Sequence, residues 1–193
     1  MSDSTLVYRL QEDLEPHLRA ADPRRKISTY DDMPYALFVY DPEDEFKLRA
    51  QVTMLETRLA QQGKRIHRVS LAECLEEAML ANNSFDEWYA AEREQGAETV
   101  IETITAVLAD YSPLVDLVAK RLPADPDPTR DVAFILRAGA LFPAYRTFSL
   151  LEQLKGRVRL PAVLFYPGQR EGPSGLRFMG VLDAEHNYRP KIF

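Results

Sequence analysis

Cysteine is almost absent: Cys74 stands alone among 193 residues. No disulfide can close within the chain, and the composition suits a reducing compartment. Long apolar runs are missing as well. The longest, at 36–40 and 132–136, hold about five residues, against about twenty for a membrane span. The opening segment Met1–Leu6 has neither the basic nor the apolar region of a secretory leader. The expected location is therefore the cytoplasm. Glycine is scarce, at eight residues, and no Gly-x4-Gly-Lys-Ser/Thr or Gly-x-Gly-x-x-Gly is present to wrap phosphates in backbone amides. A Gly-x-Ser-x-Gly nucleophile elbow is also lacking. The three histidines, His17, His67 and His186, have no metal-ligand spacing to one another or to Cys74. The expectation is no catalytic residue, no cofactor and no metal.

What is present is a strand–helix rhythm. Leu6, Leu10, Leu14 and Leu18 form one apolar stripe and predict an N-terminal helix over 5–20. Tyr35–Tyr40 is apolar throughout, which reads as a strand buried on both faces of a parallel sheet. Asp41 and Pro42 then supply an N-cap and a first helical residue. Leu48, Val52, Leu55 and Leu59 carry the helix to a stop at Gly63. A second strand at 64–69 and a helix capped at Ser70 complete a βαβα unit, so the two strands should be parallel. Residues 84–122 read as a helical insert, opened by the capping box Ser84-Phe-Asp-Glu87. The proline-rich stretch 123–128 reads as a stiff linker. Beyond it come a strand at 131–136, a helix at 145–154, a strand at 162–166, a glycine-rich loop at 167–175 and an antiparallel strand at 177–182. The expected fold is a single α/β domain with a mainly parallel sheet of about five strands. Its topology is P-loop-like without the phosphate motif.

Ligands of such sheets sit outside the carboxyl ends of the strands. That edge should hold Asp41, Ser70, Arg137, Gly139 and Gly168. The acidic turn Asp41–Glu45 would repel a phosphate. Its carboxylates could bind Mg²⁺, but helix capping accounts for them more simply. The glycine-rich segment 168–175 includes Arg170 yet leads into a strand, so a structural loop is the simpler reading. Cys74 lies on the apolar side of its helix and reads as a buried thiol. The turn containing Arg137, Gly139, Phe142, Tyr145 and Arg146 combines residue types that anchor protein interfaces. Its alternative is ordinary packing, with Phe142 turned into the core. In the tail, His186, Tyr188 and Arg189 are further candidates for contact with a partner. Residues 1–128 carry 14 basic and 25 acidic side chains, while 129–193 carry 10 and 5. This asymmetry could steer an acidic partner, although a pI near 5.2 argues against dedicated DNA binding.

Several segments resemble the BrxB family of bacterial BREX phage-exclusion systems. They are Arg130–Pro143, Leu150–Gly156, Val163–Gly168, Gly175–Pro190 and, upstream, Phe38–Glu45. The likeness spans most of the chain, is sharpest toward Phe193 and is weak over 84–122. It implies an accessory subunit of an antiviral defence complex that works by protein–protein binding. The expected contact is PglZ, an alkaline-phosphatase-superfamily protein of those systems, with the BREX ATPase as a further candidate partner. The resemblance brings no catalytic motif. A degenerate nucleotide- or metal-binding enzyme using Asp41 and Asp44, or a DNA-contacting adaptor, are the alternative readings.

Overall fold

A computed structural model describes residues 3–28, 34–172, 175–185 and 190–193. The chain opens with α1 (Asp3–Tyr8), a π-type stretch (Arg9–Leu14) and α2 (Glu15–Arg19), which run without a break. Leu6, Leu10, Leu14 and Leu18 are all buried. In a straight α-helix a four-residue step overshoots the turn by about 0.4 residue, so the leucines would drift around the axis. The wider π stretch takes more residues per turn and keeps them on one face.

Next come α3 (Arg24–Ile27), β1 (Tyr35–Tyr40), α4 (Glu45–Gln61), β2 (Arg65–Ser70) and α5 (Leu71–Asn82). The helical segment follows as α6 (Phe85–Gln95), α7 (Ala97–Ala106), a second π stretch (Val107–Tyr111) and α8 (Leu114–Ala119). The chain then forms β3 (Asp131–Leu136), a 3-10 turn (Ala138–Leu141), α9 (Thr147–Leu154), β4 (Ala162–Glu171), β5 (Gly175–Phe178) and β6 (Lys191–Ile192). Ser70 caps α5 as its sequence indicates, accepting the Glu73 amide at 3.3 Å. Asp41 accepts the Glu43 amide at 3.1 Å, but it caps a 3-10 turn (Pro42–Asp44) that leads into α4 rather than α4 itself. Ser84 and Glu87 close a reciprocal box.

The sheet order is β2-β3-β4-β1-β6, with every neighbouring pair parallel, and β5 pairs antiparallel with β4. This is the expected mainly parallel α/β sheet. β1 and β2 are parallel but not adjacent, because β3 and β4 lie between them. Burial explains the placement. β1 and β3 are buried along their whole length, whereas β2, Arg-Ile-His-Arg-Val-Ser, has only Val69 fully buried and sits at the edge. Alternate residues feed two cores. Tyr35, Leu37, Val39, Ala133, Ile135 and Leu164 face α5, α9 and the helical segment. Ala36, Phe38, Tyr40, Val132, Phe134 and Phe165 face α1, α2 and α4. Residues 84–122 are therefore not an appendage, since Trp88, Leu108, Leu114 and Val118 cover one face of the sheet.

Three segments depart from the sequence reading. The 167–175 loop is largely strand: β4 continues to Glu171 and pairs back with β5. Pro167 and Gly168 looked like breakers. Pro167 still accepts the Met179 amide at 2.9 Å, and a Cβ on Gly168 would lie 2.3 Å from the Arg177 carbonyl oxygen. Glycine there permits close backbone approach. The last antiparallel strand is Gly175–Phe178 rather than 177–182, because the chain turns at Met179 and Gly180, both at positive φ. Finally, Lys191–Ile192 adds a parallel edge strand beside β1, extended by Phe193, whose amide bonds to the Leu37 carbonyl at 2.8 Å.

Candidate functional site

The parallel register places Asp41, Ser70, Arg137 and Gly168 at one edge of the sheet. Asp41 and Arg137 follow the ends of β1 and β3, Ser70 ends β2, and Gly168 lies where β4 runs on past β1 to pair with β5. Arg137 leaves β3 in the left-handed region, at φ 60° and ψ 37°. The tight turn it enters, with the Ala140 amide bonded to the Arg137 carbonyl at 3.1 Å, requires this conformation. It costs a non-glycine residue about 1 kcal/mol or more. The consequence is an exposed guanidinium standing between two clefts.

The first cleft, of about 590 Å³, is walled by Phe46, Arg49 and Thr53 of α4, by Arg68 and Ser70 of β2, and by Glu73 of α5. Phe46 is 80% exposed, and the Arg49 guanidinium lies 5.8 Å from its ring centroid. Arg68 is held by Glu56 and by Thr53 Oγ1 at 2.9 Å. Three arginines thus face a single lining carboxylate. Among the described residues, Arg137 forms no ion pair. The second cleft, of about 250 Å³, includes Pro42, Glu45, Gly139, Pro167 and Met179. A Cβ on Gly139 would meet Met179 Sδ at 3.3 Å, so glycine lets the turn close over that side chain.

The remaining turn residues point elsewhere. Phe142 packs edge-on against Phe178, with ring centroids 6.2 Å apart. Tyr145 precedes α9 rather than beginning it and is buried, and that burial raises its hydroxyl pKa. Arg146 is exposed and bonds Glu185 at 3.2 Å, tying this turn to the segment after β5. His186, Tyr188 and Arg189 lie outside the described residues.

Asp41 is engaged as a cap, and Asp44 is buried and paired with Lys47 at 3.3 Å. Among the described residues no group of three or more His, Cys, Asp or Glu is arranged to hold a metal. Cys74 is buried, which pushes its thiol up to about 11 and away from nucleophilic use. Among the described residues no helix is long and apolar enough to cross a membrane.

Sequence reasoning passed over Phe46 and Arg49. The signal was available: the inner stripe of α4 begins at Leu48, and a residue two positions away points to the far side of a helix. A phenylalanine off the stripe, three residues from an arginine, is an exposed aromatic–cation pair.

Fold and site together define a mainly parallel-sheet α/β protein whose carboxyl edge presents arginines and an exposed aromatic ring. The family model described as "BREX protein BrxB" matches residues 67–192. A curated relative, BREX protein BrxB of Bacillus cereus (strain H3081.97), is 25% identical over 180 residues, covering 92% of each chain. No solved structure matches the chain. The chain belongs to the BrxB family of the BREX anti-phage defence systems.

Proposed function

We propose that this protein is a non-catalytic accessory subunit of a BREX complex that binds other BREX proteins through the edge around Arg137, Phe46 and Arg49. PglZ is the expected first partner and the BREX ATPase the second. One observation carries the reading: Phe46, 80% exposed with Arg49 stacked on it, shares a cleft with Arg137. Aromatic and arginine side chains dominate the energetics of protein interfaces. Burial of the Phe46 ring by a partner would remove its exposed apolar surface from water. The surplus of arginines over carboxylates in the cleft favours an acidic partner surface.

The test is co-purification of the tagged full chain with the other BREX proteins. Phe46→Ala and Arg137→Glu should each lower capture about tenfold or more, a change of roughly 1.4 kcal/mol, without altering thermal stability. Retention of no BREX protein, or full capture by both variants, would overturn the proposal.

A further inference from the structure

A separate cavity of about 670 Å³ opens outside the carboxyl ends of β1, β4 and β6, with the first helical segment as its outer wall. This volume falls in the range of small-molecule sites. Its location also has meaning in a parallel sheet. From β1 the chain crosses past β4 and β3 to β2, whereas after β4 it goes on to β6 on the other side of β1, so the strand order reverses between β1 and β4. The crevice is a topological switch point, where ligands of such sheets bind.

Two arginines meet there. Arg9 is fixed: its Nη2 donates to the backbone oxygens of Val39 and Phe193, both at 2.7 Å, and its guanidinium lies 4.8 Å from the Phe38 ring centroid. A guanidinium has five N–H donors, so most of those on Arg9 remain for another acceptor. Arg170 reaches in from the exposed end of β4 and makes no side-chain hydrogen bond or ion pair among the described residues. Asp13 attracts both arginines but closes an ion pair with neither. Desolvation lowers both guanidinium pKa values, and Arg170 lowers that of Arg9 further. Two carboxylates, Asp13 and Asp41, line the cavity as well. Asp41 is engaged by the Glu43 amide as a cap, and Asp13 closes no ion pair with either arginine, so both guanidiniums keep donors free for an anion. The remaining walls include Val39, Ile192 and Phe193, which suit an apolar body.

We infer that this cavity binds a small organic phosphate, its phosphate held between Arg9 and Arg170 and its apolar part against Ile192 and Phe193. Bidentate pairing of guanidinium with phosphate is a strong, directional contact. The segment carrying Arg170 thus acquires a role beyond that of a hairpin strand. The inference is independent of the docking edge, since Arg170 does not line either cleft beside Arg137.

The test is calorimetric titration of the full chain with phenyl phosphate, and with inorganic phosphate to isolate the head group. Phenyl phosphate should bind about tenfold tighter than inorganic phosphate. Arg170→Gln should weaken it at least as much while leaving the unliganded melting temperature unchanged. Absence of binding by either anion at millimolar concentration, or binding undiminished in Arg170→Gln, would overturn the inference. So would a result in which only capture of an acidic protein depends on Arg170, because the crevice would then be a protein contact. Arg170→Gln should retain BREX-protein capture through Phe46 and Arg137, which separates the two proposals.

Discussion

Arg65 and Asp131 face each other across β2 and β3 as register partners, joined by two bonds of 2.7 Å. His67 adds a third contact to the same carboxylate at 2.8 Å, and the Asp127 amide a fourth at 2.8 Å. Asp131 is therefore buried with its oxygens satisfied, and it pins the proline-rich linker to the sheet. Asp131→Asn should cost about 2 kcal/mol, the scale of hydrogen bonds to a charged group. The urea midpoint would report the loss. An unchanged midpoint would mean that the linker needs no such pin.

The same carboxylate predicts an acid response. Burial disfavours its charge, but the bonds from His67, Arg65 and the Asp127 amide outweigh burial and hold its pKa below the ordinary value. A depressed folded-state pKa stabilises the protein above the unfolded carboxylate value of about 3.9 and is lost as pH falls through the folded value. The stability gap between the wild type and Asp131→Asn should therefore narrow below about pH 4. Parallel urea titrations at pH 6 and pH 3 would measure it.

His17 gives a second pH window. Its Nδ1 meets the Asp13 carbonyl oxygen at 2.8 Å and its Nε2 meets Lys191 Nζ at 2.7 Å, joining α2 to β6. Burial and then Lys191 lower the His17 pKa, so the folded state favours neutral imidazole. This contribution is present above the unfolded value of about 6.5 and lost as pH falls through the folded one. Hydrogen-exchange protection of the Phe193 amide should fall on acidification from pH 7, and less so in His17→Gln.

Two glycines should respond unequally to alanine. In Gly168→Ala the new Cβ meets the Arg177 carbonyl oxygen at 2.3 Å and Tyr166 Cε1 at 2.7 Å. Backbone cannot yield as a side chain can, so a loss of about 2 kcal/mol or more follows. In Gly139→Ala the nearest atom is Met179 Sδ at 3.3 Å, and a flexible thioether can move aside. That variant should stay within about 1 kcal/mol of wild type in thermal melts.

Arg137 and Phe142 separate docking from folding. Arg137→Gly removes the guanidinium and suits the φ of 60°, so stability should hold or rise by up to about 1 kcal/mol while BREX-protein capture falls. Phe142→Ala removes a ring packed on Phe178 and should cost about 2 kcal/mol. Melting curves beside capture assays distinguish the two effects.

Local patterns determined much of this protein by themselves. The apolar run Tyr35–Tyr40, the leucine stripe of α4 and the caps at Asp41, Ser70 and Ser84 each depend on neighbours within a few residues, so they were legible in the chain. The parallel α/β class followed from their alternation. Contacts between distant residues were decided only in the tertiary structure. Nothing local tells Pro167 and Gly168 to remain in a strand, because the reason is the Arg177 backbone opposite them. Lys191–Ile192 is a strand only because β1 offers an open edge. Phe142 and Arg137 looked equivalent as interface candidates. The fold packed Phe142, half-buried, against the core and left Arg137 in solvent, because a residue's exposure is set by the elements packed against it rather than by its neighbours in sequence. The meeting of Arg9 with Arg170 is of the same kind: they are remote in sequence, and the sheet order brings them to one cavity.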